Sequence, residues 1–258
     1  MLTKSGYKVQ TLSDYQRLMD RFEKNSDQYL LPDCYLVLRI DGKRIGSLWD
    51  NINEYPYNEK IENSLLDTAR AVMIAGSKVL FSFHHGDEIT FVLDKSETLS
   101  PRTVVKVVST ICSTAGSAFQ KSAGLTLQFH AKLLQLTTQL QILDYFFWQR
   151  KVVQRNFLTH KLAVELSKNG SKDNELLTKL TRLTEEERIR LARKEGFPLE
   201  SFEPKYITGT MIWWNKDSND PKSKPQMVLQ KGLPTDENEF VDFLVNRLDG
   251  VTHNPLQN

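Results

Sequence analysis

The chain has 258 residues, 40% hydrophobic and 26% charged, and its 34 Lys and Arg against 32 Asp and Glu leave a net charge of +2. That length suits one core with helical additions or two small domains, at ~100–200 residues per domain, and we read one integrated domain over 1–258. The near-neutral balance excludes a polycation that coats nucleic acid everywhere, so any RNA contact has to come from local basic stretches. Cys34 and Cys112 lie in apolar runs without C-x-x-C spacing, which argues for reduced core thiols rather than a zinc or disulfide framework. The first 28 residues are polar and lack the apolar stretch of a secretory signal. No window reaches the ~18 apolar residues of a membrane span, so no membrane and a cytoplasmic setting are expected.

In chain order, residues 34–40 (CYLVLRI) form a short apolar run between Pro32-Asp33 and Asp41-Gly42, the pattern of a mostly buried strand. From Pro56 onward, Ile61, Leu65, Leu66, Ala69, Val72 and Met73 have helical spacing, which predicts a helix of about five turns. Residues 79–83 and 89–93 are strand-like runs joined by a short polar linker at 84–88, suited to a hairpin. Ser100 as N-cap and Pro101 as first residue open a further helix with Val104, Val105, Val108, Ile111 and Cys112 on its apolar side. Residues 125–136 alternate partly and predict another strand.

The order strand, helix, strand, hairpin strand, helix, strand is the split βαβ order of a ferredoxin-like or polymerase-like palm. The fold class is therefore α+β, with an antiparallel palm core at about 33–136 and additions at 144–248. Those additions are a long helix at 144–166, a short one opened by a capping box at Thr184 and Glu187, and a strand at 206–214. A loop at 215–224, a short strand at 227–229, an amphipathic helix at 236–248 and a frayed end complete the chain.

Asp41 directly follows the first strand, and Asp87 sits in the turn between the second and third, 46 residues later (87 − 41). In a palm those strands are central neighbours, so both carboxylates would face one point above the sheet. Two divalent ions ~3.5–4 Å apart need shared anionic oxygens, which such a pair supplies. Taken singly, Asp41-Gly42 and Gly86-Asp87 are equally good turn formers. Residues 42–46 form a short loop whose N–H groups suit phosphate oxygens. Arg102 and Lys106, four apart at a helix start, suit a triphosphate or, alternatively, plain solvent. Basic candidates for RNA are Lys151, Arg155 and Lys161. Tyr145 to Trp148 fit base stacking or, as well, a helix core. His84 and His85 are adjacent and point to opposite faces of a strand, poor geometry for joint metal binding.

Taken together these blocks resemble the tRNA-His guanylyltransferase family, and in particular its guanylyltransferase-like relatives. The match is carried by RIDGKRI at 39–45, YPYNEKIENSLLDTARAVM at 55–73, HGDEITFVL at 85–93, PRTVVK at 101–106, LLQL at 133–136, DYFFWQ at 144–149, Arg155-Asn156 and GTMIWW at 209–214. The resemblance implies a nucleotidyltransferase that adds nucleotides to the 5′ end of tRNA or tRNA-like RNA in the 3′-to-5′ direction, for 5′-end repair or tRNA-His guanylylation. It further implies two Mg2+ ions, GTP and ATP as substrates, and a homotetramer. By position it assigns metal binding to Asp41, Gly42 and Asp87, with Asp41 and Asp87 catalytic. Nucleotide contacts fall to Gly42, Lys43, Arg44, Ile45, Gly46, Gly86, Glu88, Arg102, Lys106 and Asn156. The chain departs from the family pattern at His85-Gly86, where relatives usually carry Gln-Ser, and at His130 and Lys132. Two rival readings are a palm-fold cyclase or signalling nucleotide synthetase, suited by Gly86-Asp87-Glu88 on a hairpin, and a degenerate member that binds RNA or nucleotide without turnover.

Overall fold

The computed structural model describes residues 11–43, 45, 58–97, 102–167, 174–215 and 224–249. Helix α1 (Leu12–Ser26) opens on a capping box between Thr11 and Asp14, which satisfies two of the orphan donors of its first turn. The composition of this segment had not suggested a helix. Its apolar residues Leu12, Tyr15, Leu18, Met19 and Phe22 remain exposed.

Strand β1 (Tyr35–Gly42) is followed by α2 (Glu59–Ile74), the hairpin β2 (Val79–His85) and β3 (Glu88–Leu93), then α3 (Val104–Ala123) and β4 (Phe129–Leu136). This is the split order expected, and the sheet is antiparallel at every pairing. With β5 (Thr210–Asn215) and β6 (Gln226–Lys231) it has the order β4-β1-β3-β2-β5-β6. The remaining helices are α4 (Gln139–Leu166), α5 (Asn174–Thr181), α6 (Glu185–Lys194), α7 (Pro204–Thr208) and α8 (Glu237–Asp249).

The two sheet faces bury different partners, as strand alternation requires. Leu36, Leu38 and Ile40 of β1 pack with Leu65, Ala69 and Met73 of α2 and Ile111 and Phe119 of α3. Tyr35 and Val37 face the other way, with Phe81, Phe83, Phe146 of α4 and Phe240 of α8. Phe146 meets Phe81 at 5.3 Å and Phe83 edge-on at 5.6 Å, the tilted geometry aromatic rings prefer. A third cluster joins the C-terminal half of α4, through Phe157, Leu158 and Leu162, to Leu180 of α5 and Ala192 of α6.

Several boundaries differ from expectation, each for a local reason. Asp41 and Gly42 belong to β1 itself because both pair with β4, as His130 and Phe129 are their partners. β2 and β3 absorb His84, His85 and Glu88, leaving only Gly86 and Asp87 in the turn. α3 begins at Val104, with Thr103 at the N-cap making no side-chain bond there, whereas Ser100 and Pro101 fall outside the described residues. The helix predicted from Pro56 starts at Glu59 behind Asn58, whose side chain accepts from the Ile61 amide, and Pro56 is outside the described residues. α4 begins at Gln139 rather than 144, through a capping box between Thr138 and Gln141. The strand predicted at 206–214 divides into α7 and β5, since Pro204 suits a first helical position and Gly209, at φ 83°, ends the helix. Residues 216–223 of the predicted loop and 250–258 of the predicted frayed end lie outside the described residues.

Candidate active site

β1 and the β2–β3 hairpin bring Asp41 and Asp87 to the same edge of the sheet. Asp41 pairs in register with Glu88, and the Gly42 amide donates to the Asp87 carbonyl at 3.4 Å. A Cβ on Gly42 would come within 2.8 Å of Leu127 Cδ2, so a larger residue here would push the Leu127 side chain aside. Gly86 reverses the chain at φ 54°, a left-handed conformation glycine adopts without penalty. Lys43 donates its amide to the Gln128 carbonyl at 2.8 Å, while Ile45 is buried in the core; Arg44 and Gly46 lie outside the described residues.

Burial pushes the Asp87 carboxyl above its ordinary range, and the negative charges of Glu88 and Asp41 add to that shift against opposition from its own amide and His85. Asp41 also lies close enough to Cys112 of α3 to raise that thiol, behind the larger effect of burial. The edge of the sheet therefore carries two neighbouring acids with an excess of negative charge. Glu88 differs. Burial works against its carboxylate, but His85, Arg39 and Lys132 outweigh it and hold its pKa below the ordinary value. Arg39 NH1 stands 3.5 Å and His85 Nε2 3.3 Å from Glu88 Oε2. His85 Nε2 is also 3.1 Å from Gln149 Oε1, and Gln149 Nε2 donates to the Tyr145 hydroxyl at 2.8 Å. Glu88 is thus tied into a buried network against α4.

That cavity opens beside the hairpin turn. Gly86, Asp87, Asn156 and His160 line it, together with His84, Asn58 and Tyr206. Its far wall holds a buried ion pair, Lys205 Nζ to Glu62 Oε2 at 2.9 Å, with Lys231 Nζ 3.7 Å from Glu62 Oε1. Burial opposes the Lys205 charge, but the hydrogen bonds and charges of Glu62 and Tyr206 prevail and raise its pKa. As strand alternation predicts, His85 faces α4 and His84 faces the side of Glu62 and Lys205.

The structure brings Asn156 to this cavity and holds Arg102 away from it. Arg102, at φ 60°, donates to the carbonyls of Glu97 at 2.8 Å, Leu31 at 2.6 Å, Lys95 at 3.3 Å and Cys34 at 3.3 Å. Cys34 precedes β1 and Asp41 is near its other end, seven residues on (41 − 34), about 23 Å at strand spacing. Arg102 therefore clamps the end of β1 opposite Asp41, with its guanidinium committed to backbone carbonyls. Lys106 sits in the first turn of α3, six residues before Cys112 (112 − 106), whose thiol feels the Asp41 charge.

Among the basic candidates, Lys151 Nζ is 3.7 Å from Glu185, Lys161 is ion-paired with Glu165, and Arg155 donates to Asn156 Oδ1 at 3.1 and 3.2 Å. Arg155 and His160 also line a second cleft against Leu177 and Thr181 of α5. Sequence reasoning missed Glu62 and Lys205, since residues 143 positions apart carry no local signal of pairing.

The fold and the acidic edge define a palm-like α+β protein with two neighbouring aspartates at the end of its central strands. The model of a family described as "Thg1: tRNAHis guanylyltransferase" matches residues 16–146, and the chain belongs to that family. Among curated relatives, the tRNA(His) guanylyltransferase of Schizosaccharomyces pombe is 33% identical over 107 residues, 41% of this chain and 39% of that protein. The tRNA(His) guanylyltransferase of Debaryomyces hansenii is 26% identical over 145 residues, 50% of this chain and 53% of that protein. The chain thus spans about half or less of the length of these relatives. Among solved structures, a bacterial tRNA(His) guanylyltransferase (Thg1)-like protein in complex with ATP superposes with TM-score 0.68 at 15% identity, covering 89% of this chain and 99% of that one. The Saccharomyces cerevisiae tRNA(His) guanylyltransferase gives TM-score 0.62 at 22% identity, covering 76% and 91%. At those identities the superpositions speak for the fold.

Among the described residues no group of three or more His, Cys, Asp or Glu side chains is arranged to hold a metal ion by itself. Two carboxylates with the rest of the shell supplied by substrate phosphates and water is nonetheless what Mg2+ accepts. Asp87 lies near enough to Asp41 for the two like charges to repel, a repulsion that a bound cation would relieve. The residues present fit the ion.

Proposed function

We propose that the chain is a metal-dependent nucleotidyltransferase that adds nucleotides to the 5′ end of tRNA or tRNA-like RNA in the 3′-to-5′ direction. The observation that carries this reading is the pair Asp41 and Asp87, brought together by β1 and the β2–β3 turn, with Asp87 lining a cavity and shifted upward by burial and by like charge. Membership of the guanylyltransferase family supports the reaction class, and bacterial guanylyltransferase-like proteins solved in complex with ATP and with GTP support those nucleotides as substrates.

In this reading Asp41, Asp87 and the Gly42 carbonyl hold Mg2+, which, when bound, lowers the cost of deprotonating the attacking hydroxyl and neutralises charge on the triphosphate. Asp41 and Asp87 act as fixed anions, positioned by strand pairing before substrate arrives. Gly86 keeps the turn free of a side chain, so a phosphate group can approach the backbone. Asn156 offers a neutral amide from α4 on the other side of the cavity. Lys151, Arg155 and Lys161 follow α4 outward and would engage RNA phosphates by exchanging their present acidic and amide partners. The exposed apolar stripe on α1 supports a homo-oligomer, a tetramer by family pattern. Two free cysteines, and no helix among the described residues long and apolar enough to cross a membrane, support a cytoplasmic enzyme.

The test is to incubate the protein with Mg2+, labelled GTP or ATP and a tRNA lacking its first 5′ nucleotide, with Asp41→Ala alongside. Extension at the 5′ end, lost in the variant, is expected, and its dependence on the opposing base separates templated repair from fixed guanylylation. Cyclic product without RNA would replace this reading with a cyclase, and tight tRNA binding without extension would replace it with a binding protein.

A further inference from the structure

His84 carries an unsatisfied hydrogen-bonding atom at the cavity. It is a residue of β2, 5% exposed, and it lines the cavity between the Gly86–Asp87 turn and the Glu62–Lys205 ion pair. Its Nε2 has almost no exposed surface and no hydrogen-bond partner among the described residues. The ring does bond to the Gly86 backbone, in the sense that favours its protonated form, so a ring N–H donates to the Gly86 carbonyl. With Nε2 unpartnered, that donor is Nδ1.

A neutral imidazole has one N–H, and committing it to Gly86 leaves a lone pair on Nε2. Burial, reinforced by His85, pushes the His84 pKa down to about 4, so this lone pair is present throughout the physiological range. A buried acceptor without a donor is costly, and proteins rarely keep one unless something supplies the donor. Glu62 Oε1 and Oε2 face Lys231 and Lys205 on the same wall, so the inner end of the cavity presents acceptors and an already neutralised lysine. Such a wall does not attract phosphate, which would gather instead at the Asp41–Asp87 edge through the cation held there.

We propose that His84 Nε2 is a specificity-determining acceptor for the nucleoside part of the triphosphate, taking a hydrogen bond from a ribose hydroxyl or a base N–H. The inference rests on the nucleotidyltransferase reading, which places a nucleoside triphosphate in this cavity. It adds a residue that the motif pattern does not mark, on the opposite face of β2 from His85.

The test is equilibrium binding of ATP, GTP, CTP and UTP and of their 2′-deoxy and 3′-deoxy forms, in Mg2+, to the full chain and to His84→Phe and His84→Gln. Phe keeps a ring of similar bulk and removes the acceptor; Gln restores a carbonyl acceptor. Affinity for at least one ribonucleotide is expected to fall by about 5- to 150-fold in His84→Phe and to recover substantially in His84→Gln. The Tm of His84→Phe should stay close to that of the parent, because losing the unsatisfied buried acceptor offsets losing the bond to the Gly86 carbonyl. One modification of the ligand should lose affinity in the parent and not in His84→Phe. If that is a deoxy sugar, the donor is a ribose hydroxyl; if it is a change of base, the donor is a base N–H. Unchanged affinity in His84→Phe, or an equal loss for every ligand with no such coupling, overturns the proposal and assigns the site to water or to packing. A parent chain that binds no triphosphate at all overturns the nucleotidyltransferase reading itself.

Discussion

Replacing Lys205 by Met isolates the energetics of the cavity wall. Lys205 and Glu62 side chains are only 6% and 10% exposed and meet at 2.9 Å, so removing the cation strands a buried carboxylate. Its remaining neighbour is Lys231 at 3.7 Å, which is 44% exposed and thus screened by water. Breaking one side of a buried pair costs about 3–5 kcal/mol, much of it the penalty of the unpaired charge rather than the value of the bond. For a chain of this size about 1 kcal/mol moves Tm by ~2–4 °C, which places the expected loss at about 6–20 °C. Adding Glu62→Met to the same chain removes the stranded charge and should recover most of that loss, since an apolar pair of similar volume often does as well as a buried ion pair. Thermal and urea unfolding of the parent, both single variants and the double variant form a complete cycle. A Lys205→Met variant within about 1 kcal/mol of the parent, or a double variant as unstable as the sum of the singles, would refute the argument.

Asp87→Asn should abolish 5′ extension and, without divalent ions, raise Tm at pH 7. The folded pKa of Asp87 is raised, so its stabilising state is the protonated one, and the parent loses stability as pH climbs through that pKa. The gain in the variant should shrink as pH falls towards the ordinary aspartate value near 3.8, and a pH-independent gain would show another cause. Arg102→Ala should lower the urea midpoint by the equivalent of about 2–4 kcal/mol, through four carbonyls left without their donor, while nucleotide affinity stays unchanged. Lost affinity at full stability would return Arg102 to the triphosphate. Gly209→Ala should cost about 2–5 kcal/mol in denaturant unfolding, because the new Cβ would fall 2.4 Å from Phe83 Cε2 on a backbone at φ 83°. A neutral effect there would mean that β2 and the segment entering β5 can part without penalty.

The palm order and the meeting of Asp41 with Asp87 were legible because both rest on short-range signals. Apolar runs, Asp-Gly pairs and a two-residue turn act within a few residues of one another, and the split βαβ order then leaves little choice of strand neighbours. Capping chemistry was legible at Thr184, whose box with Glu187 opens α6 as read. The same chemistry at Thr138 and Gln141 passed unread, because Leu140 and Leu143 just beyond it blur into the preceding strand. Arg102 and Lys106 show what spacing leaves out. Their spacing is right for a helix face, but a spacing does not say at which end of the sheet the helix starts. The cavity wall was beyond reach of any local pattern, since Glu62 and Lys205 meet only after α2 and α7 have docked on the same sheet edge.

α4 has a consequence for which changes the chain can absorb. Its first half belongs to the core under the sheet through Phe146 and Val153, and its second half to the C-terminal helical cluster through Phe157 and Leu162. Between them, within one uninterrupted helix, lie Gln149, which holds His85, and Asn156, which lines the cavity. A substitution on the solvent side of this stretch leaves both bodies where they are. One inserted or deleted residue would turn everything beyond it by about 100° and shift it by about 1.5 Å, swinging Asn156 away from the Gly86–Asp87 turn although each body could still pack internally. The number of residues between Gln149 and Asn156 is therefore a ruler, held to its length more strictly than most of the letters written along it.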